Sequence, residues 1–316
     1  MIDASMGSEP QRLSVLTNVL EVAYQEWGPQ KGYPIILLHG FPDDIYAWEG
    51  VAAPLAKAGY RVLVPYLRGY GPTRFLDPST PRVGQQAALG QDVIDFMDAI
   101  NITTAVLAGY DWGCTAACVA SILQPKRIRA LLAIHGYGVG DTKSPEPPAP
   151  PREERECWYH WYFNIERGRR GLEANRRELC LLLWHSWSPN WQFEMETFER
   201  TARSFDNPDF VSIVIHAYRH SHGNMAGDPK LEGIERHLAK LPPIEVPSMV
   251  LHGAEDTVHP LHRSVPAMNL FPRGTERRVV QRAGHFVPRE RPDEVLAALN
   301  QLLWGRNQTL IADRVG

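Results

Sequence analysis

The chain has 316 residues, 44% of them hydrophobic, with a formal net charge of −3 and a pI near 6.5. That length suits one elaborated α/β domain, the composition excludes a disordered chain, and the charge balance excludes a nucleic-acid footprint. No apolar run is long enough to span a bilayer and no basic-then-apolar leader opens the chain. The four cysteines (Cys114, Cys118, Cys157, Cys180) lack disulfide-framework or metal spacing, so a soluble cytoplasmic protein is expected.

In chain order, residues 1–12 are expected to be loose. Residues 18–26 alternate as an antiparallel edge strand. Residues 34–38 form a continuous apolar run, the signature of a buried parallel strand, and stop at His39-Gly40-Phe41-Pro42. A helix over 48–58 closes at Gly59. A second buried strand over 60–65 runs into Leu67-Arg68-Gly69-Tyr70-Gly71. Leu89, Val93, Phe96, Met97 and Ile100 share one helical face. A strand over 105–108 follows, then the turn Gly109-Tyr110-Asp111-Trp112-Gly113, a helix of small residues, and a strand over 130–134. This alternation predicts a mostly parallel, doubly wound α/β sheet with its functional loops at the strands' C-terminal ends.

The pattern breaks near Gly140. Residues 144–151 contain five prolines and read as an extended connector. From Glu153 to about Leu241 the chain is helical, aromatic and charged, with Trp158, Trp161, Trp184, Trp187 and Trp191. It reads as a helical lid over 141–242, inserted in a core domain of 1–140 and 243–316. The Arg-rich stretch 167–177 is its solvated face. The sheet resumes over 248–251, leading to Glu255-Asp256, and over 277–280, leading to Ala283-Gly284-His285. A last helix opens at Pro292 with acids in its first turn.

The glycine-bounded pentapeptide between strand and helix is the setting of a nucleophile elbow, and its third residue is Asp111. A carboxylate is a poor nucleophile toward an ester or amide. It suits a polarised sp³ carbon, in an epoxide or bearing a halide, and leaves an alkyl ester. Asp256 and His285 complete the order nucleophile, acid, histidine. His285 would activate the water that hydrolyses the ester, and Asp256 would fix its tautomer. Glu255 is the alternative acid; Asp256 is preferred because it lies one residue deeper and is shorter. The backbone N–H groups of Phe41 and Trp112 are the oxyanion donors. Phe41, Trp112, Trp161 and Phe286 are the expected pocket lining. His216 and His220 stand four apart without an acid at ligand spacing, so no metal is expected, and no organic cofactor is implied.

On His39–Pro42, Gly109–Gly113, the Asp256 turn and Ala283–His285, the chain resembles the α/β-hydrolase superfamily over about residues 20–140 and 243–305. With Asp111 at the elbow it resembles the branch of epoxide hydrolases and haloalkane or haloacid dehalogenases. Epoxide hydrolases carry two lid tyrosines that hold and protonate the epoxide oxygen. Trp161-Tyr162-Phe163-Asn164 is similar to that family's Tyr-Phe-Gln stretch and His216-Ala217-Tyr218-Arg219 to its Tyr-Arg stretch, which implies Tyr162 and Tyr218 as the proton donors. An alkoxide leaving group needs that proton, whereas a halide does not. The resemblance thus implies an epoxide hydrolase that opens a small hydrophobic epoxide to a vicinal diol through an alkyl-Asp111 ester. The chain departs from the family pattern at Asn164, Tyr110 and Tyr66, where Gln, His and Asp are usual, and at His135, where some relatives place their acid. A dehalogenase, its halide held by an indole of Trp158, Trp161, Trp184 or Trp187, is the first alternative. A non-catalytic ligand-binding homologue is the second. The residues leave open whether the lid mediates a homodimer.

Overall fold

The computed structural model of this chain describes residues 9–142, 144 and 148–312, with side chains up to residue 303. The expectation of a loose start therefore lies, for residues 1–8, outside the described residues, as does the middle of the proline-rich connector. The strands are β1 (Gln11–Leu16), β2 (Leu20–Trp27), β3 (Pro34–Leu38), β4 (Arg61–Pro65), β5 (Arg74–Phe75), β6 (Ala105–Tyr110), β7 (Ile128–Ile134), β8 (Ser248–Gly253) and β9 (Glu276–Val280). They form one sheet in the order β1-β2-β4-β3-β6-β7-β8-β9, with β5 pairing β2. From β4 to β9 every pairing is parallel, while β2 is antiparallel to β1, β4 and β5.

The apolar runs became the centre of this sheet. All of β6 and β8, and nearly all of β3, β4 and β7, are buried, because helices cover both faces of a parallel sheet. One expectation is corrected at the edge. β2 is not the edge strand: residues 11–16, expected to be partly loose, pair with it along their length as β1. Their side chains are mostly exposed, so hydrophobic periodicity carried little sign of a strand there.

The helices are α1 (Glu49–Lys57), α2 (Gln86–Ala99), α3 (Trp112–Leu123), α4 (Pro151–Glu156), α5 (Trp158–Asn164), α6 (Glu166–Trp187), α7 (Met195–Ala202), α8 (Phe210–Ser221), α9 (Glu232–Leu238), α10 (Leu261–Ser264), α11 (Val287–Glu290) and α12 (Pro292–Ala312). α2 packs on α3 and α1 on α12. Helices α4–α9 fall between β7 and β8, in a segment that holds five of the chain's nine tryptophans. Among the described residues no helix is long and apolar enough to cross a membrane.

The strand-to-helix turn from β6 to α3 dictates its own glycines. A Cβ on Gly113 would lie 2.1 Å from the Leu38 carbonyl oxygen, and one on Gly109 would lie 2.2 Å from the Gly113 carbonyl oxygen. Both clashes are with backbone, which cannot rotate away. Gly113→Ala is therefore expected to cost at least ~2 kcal/mol of unfolding free energy, in the range of overpacked and strained sites. Urea denaturation followed by circular dichroism measures this, and a loss below ~0.5 kcal/mol would contradict the backbone approach.

Candidate active site

At the end of β6, Asp111 adopts φ 51° and ψ −127°, a conformation that L-residues rarely hold. In that conformation the carboxylate lies against the His39–Pro42 loop. Asp111 Oδ1 accepts 2.7 Å hydrogen bonds from the backbone N–H of both Phe41 and Trp112. Oδ2 accepts neither of these bonds and lies 3.5 Å from His285 Nε2. The two oxygens are thus differentiated: one sits in a two-donor cradle at the N-terminus of α3, the other faces the histidine.

His285 is fully buried, and its Nδ1 is 3.0 Å from Asp256 Oδ2. Asp256 Oδ1 accepts from the backbone N–H groups of Val258 and His259. Glu255 does not reach the histidine; it accepts from Asn190. Ser188 Oγ accepts the His285 N–H and donates to Glu290, which fixes the loop after β9. Burial alone would lower the His285 pKa, but Asp256 and then Asp111 outweigh it and raise it to about 10. For Asp256 burial pushes up, yet the net direction is down, held there by His285, His135 and His259.

His135, which sequence reasoning treated only as a residue that could not serve as the acid, touches all three members. At φ 86° it stacks on the His285 ring at 4.3 Å between centroids. Its Nδ1 is 3.4 Å from the Asp111 N–H, its Nε2 is 3.0 Å from the His285 carbonyl oxygen, and Nε2 also lies 3.3 Å from Asp256 Oδ2. These partners fix the tautomer with the proton on Nε2. Burial first, then the neighbouring His285, holds His135 far below its ordinary pKa, so it is neutral. Ligand atoms of His135, Asp256 and His285 lie within 4.8 Å of one another, but they are committed to mutual hydrogen bonds. His216 is likewise committed, accepting from Gly84 N–H and facing the Ala226 carbonyl.

Over the carboxylate lies an aromatic roof. The Tyr218 ring packs against Phe41 at 5.5 Å and Trp112 at 6.0 Å. The second tyrosine there is Tyr159. Its ring is 5.3 Å from Tyr218 and 5.0 Å from Trp187, whose indole in turn lies 4.9 Å from His285. Burial raises the pKa of both tyrosines well above 10, and the Asp111 charge acts on both in the same direction.

Two expected site residues lie elsewhere. Tyr162 is one turn further along α5, and its hydroxyl packs against Gly171 of α6. Helical geometry is the reason: Tyr159 and Phe163, four apart, share the buried face, and Tyr162 is turned toward the neighbouring helix. Trp161 is half exposed, donates to Glu154 and stacks on His222, so it does not line the site. Phe286 is fully buried behind His285, against Trp184 and Trp187. Three buried polar atoms around the carboxylate, Tyr70 Oη, Trp187 Nε1 and His285 Nε2, have no hydrogen-bond partner among the described residues.

Because the His285 pKa is raised, its contribution to stability is full below pH ~6.5 and is lost as pH rises through about 10. Asp111→Asn removes one of the raising charges. The His285 midpoint, read by NMR of labelled imidazole, should fall by ~1–3 units, and an unchanged midpoint would refute the pairing.

Residues 33–292 match the family described as alpha/beta hydrolase fold. A crystal structure from Klebsiella pneumoniae, provisionally named an epoxide hydrolase, is 41% identical, with a TM-score of 0.88, over 95% of this chain and 99% of that one. Epoxide hydrolase A of Mycobacterium tuberculosis is 26% identical over 95% of this chain and 99% of its own length. An epoxide hydrolase of Caballeronia sordidicola is 35% identical over 120 residues, which span 38% of this chain and 35% of that protein.

Proposed function

The chain belongs to the α/β-hydrolase fold family, and from that premise we propose that it is an epoxide hydrolase working through a covalent ester of Asp111. The differentiated carboxylate, beside two buried tyrosines packed on Phe41, Trp112 and each other, carries the reading. Asp111 Oδ2 attacks an epoxide carbon. The C–O bond breaks, its electron pair goes to the epoxide oxygen, and that oxygen takes the proton of Tyr159 or Tyr218. The product is an alkyl ester whose carbonyl oxygen is Oδ1, already held by the Phe41 and Trp112 N–H groups.

Alkylation neutralises Asp111 and removes one charge that keeps His285 protonated. The imidazolium can then lose its proton to solvent, and the neutral imidazole acts as a base. It takes a proton from water, and the hydroxide attacks Cγ. The oxyanion forms on Oδ1, where each donor is worth ~2.7–4 kcal/mol. Collapse releases the diol and restores the carboxylate. The resemblance to proteins named epoxide hydrolases supports the same reaction class.

The second reading is a dehalogenase on the same carboxylate. It is favoured by one observation, the unpartnered buried indole N–H of Trp187, which a halide would accept from. Two tyrosines interacting with the nucleophile weigh toward the epoxide, because a halide leaving group has no use for their protons.

His285→Gln should stop the cycle after alkylation. Intact-protein mass spectrometry after exposure to an aryl epoxide is expected to find one whole-epoxide adduct, located on Asp111. An adduct formed only with a haloalkane, lacking the halogen, would replace this reading with the dehalogenase. Tyr159→Phe combined with Tyr218→Phe should abolish epoxide opening, a loss of at least ~10²-fold, while Tyr162→Phe should keep near-normal rates. Steady-state diol formation measures both, and the reverse ranking would return the donor role to Tyr162.

A further inference from the structure

The proposed reaction leaves a proton imbalance inside the site. Ring opening takes a proton from a tyrosine beneath the lid helices. His285 gives up a proton after alkylation and takes one from water during ester hydrolysis, which returns it to its resting state. The cycle closes only when the tyrosine regains a proton, yet Tyr159 and Tyr218 are both buried. A chain of hydrogen bonds leads away from them. His160 Nε2 is 3.0 Å from the Tyr159 hydroxyl, and His160 Nδ1 is 3.3 Å from His222 Nε2. His222, in the cap of α8, is half-buried.

We propose that His160 and His222 form a relay that returns protons from the solvent side of the lid to Tyr159. The proposal rests on the reading of Tyr159 as a proton donor. In the step, tyrosinate 159 takes the Nε2 proton of His160 as an O–H bond forms and an N–H bond breaks. The electron pair of the broken bond stays on Nε2 as its lone pair while the ring shifts to the other tautomer. Nδ1 of the same ring gains the Nε2 proton of His222, and the half-buried His222 regains a proton from the solvent side of the lid. His160 stays neutral before and after, which a relay between two partners requires. An imidazole can do this because it carries a donor and an acceptor on opposite edges.

The surroundings of His160 favour the neutral ring. Tyr159 and Tyr218 face it from α5 and α8, at 4.5 and 4.9 Å between ring centroids. Burial first, then the like charges of His222, His259 and Arg263, hold it below its ordinary pKa. The position of the ring is set from its own backbone: the His160 carbonyl accepts from Asn164, whose amide also reaches the Tyr218 carbonyl. Asn164 thus ties the two tyrosine-bearing helices together around the relay. Neither histidine touches the reacting atoms; both act through Tyr159.

His160→Gln tests this with the hydroxyl's partner retained and the second ring nitrogen removed. Single-turnover alkylation of Asp111, followed by quenched-flow mass spectrometry with an aryl epoxide, should stay within about twofold of wild type. The kcat should fall roughly tenfold or more and recover partly in imidazole buffer, as expected for a lost proton-transfer group. His222→Gln, at the half-buried end, should lower kcat in the same direction and guards against a folding defect at His160. Equal losses in alkylation and kcat without buffer rescue, or an unchanged kcat in both variants, would overturn the relay and leave His160 as packing. A wild-type protein that opens no epoxide would instead sink the functional reading itself, before either variant is compared.

Discussion

One backbone residue in an unfavourable conformation sets the terms for the rest of this structure. Asp111 at φ 51° exists only because β3 and β6 run parallel beside each other, and because Gly113 lets α3 start against the Leu38 carbonyl. The same closeness brings the Phe41 and Trp112 N–H groups onto one oxygen of the carboxylate. Strain of this kind costs on the order of 1–3 kcal/mol and persists only where surrounding contacts overdetermine it. Here the turn is held between the sheet's most buried strands, so the cost is carried by the core.

The charge of that carboxylate then governs its neighbours. It helps to hold His285 protonated and, after burial, adds to what raises the roof tyrosines' pKa values. In the proposed reaction, consuming that charge in an ester would lift both influences together: the histidine's pKa would fall, so that the neutral imidazole becomes available to accept a proton, and the tyrosines would become better acids. In that reading the acid–base roles are timed by the covalent step. The stacked histidines around Asp256 fit this scheme. His135 and His259 are both pushed down by burial, the latter to about 4, so the cluster carries one imidazolium and not three.

The sheet and the ends of its strands were legible because continuous apolar runs, glycine-bounded turns and chain order are local signals. Asp111, Asp256 and His285 could be read from position alone, since each follows a buried strand. Tyr159 could not. Two tyrosines three apart on one short helix differ only in which face meets the core, and that is decided by the crossing of α5 with α6 and α8. The i,i+4 pairing of Tyr159 with Phe163 was the available clue, but the motif likeness around Tyr162 outweighed it. His135 was missed for another reason: its value lies in touching three residues that are distant in sequence. β1 was missed because an exposed edge strand carries little hydrophobic pattern.

Tyr110, at the place where a histidine is usual in the branch the chain resembles, has a structural explanation. Its hydroxyl donates to Asp43 at 2.6 Å, and Asp43 is also gripped by the Arg289 guanidinium, with Nε at 2.8 Å. Arg289 reaches on to Thr201 of α7, while Asp44 accepts from Thr201 and Ser204. Trp184 of α6 donates to the Pro42 carbonyl. The loop of residues 39–44 is thereby fastened at once to the elbow strand, to α11 and to the helices between β7 and β8. A buried ion pair of this kind contributes little net stability compared with well-packed apolar side chains, but breaking one partner costs ~3–5 kcal/mol. Its worth lies in register: the Phe41 N–H meets Asp111 Oδ1 only while the loop, the elbow and the roof keep their relative positions.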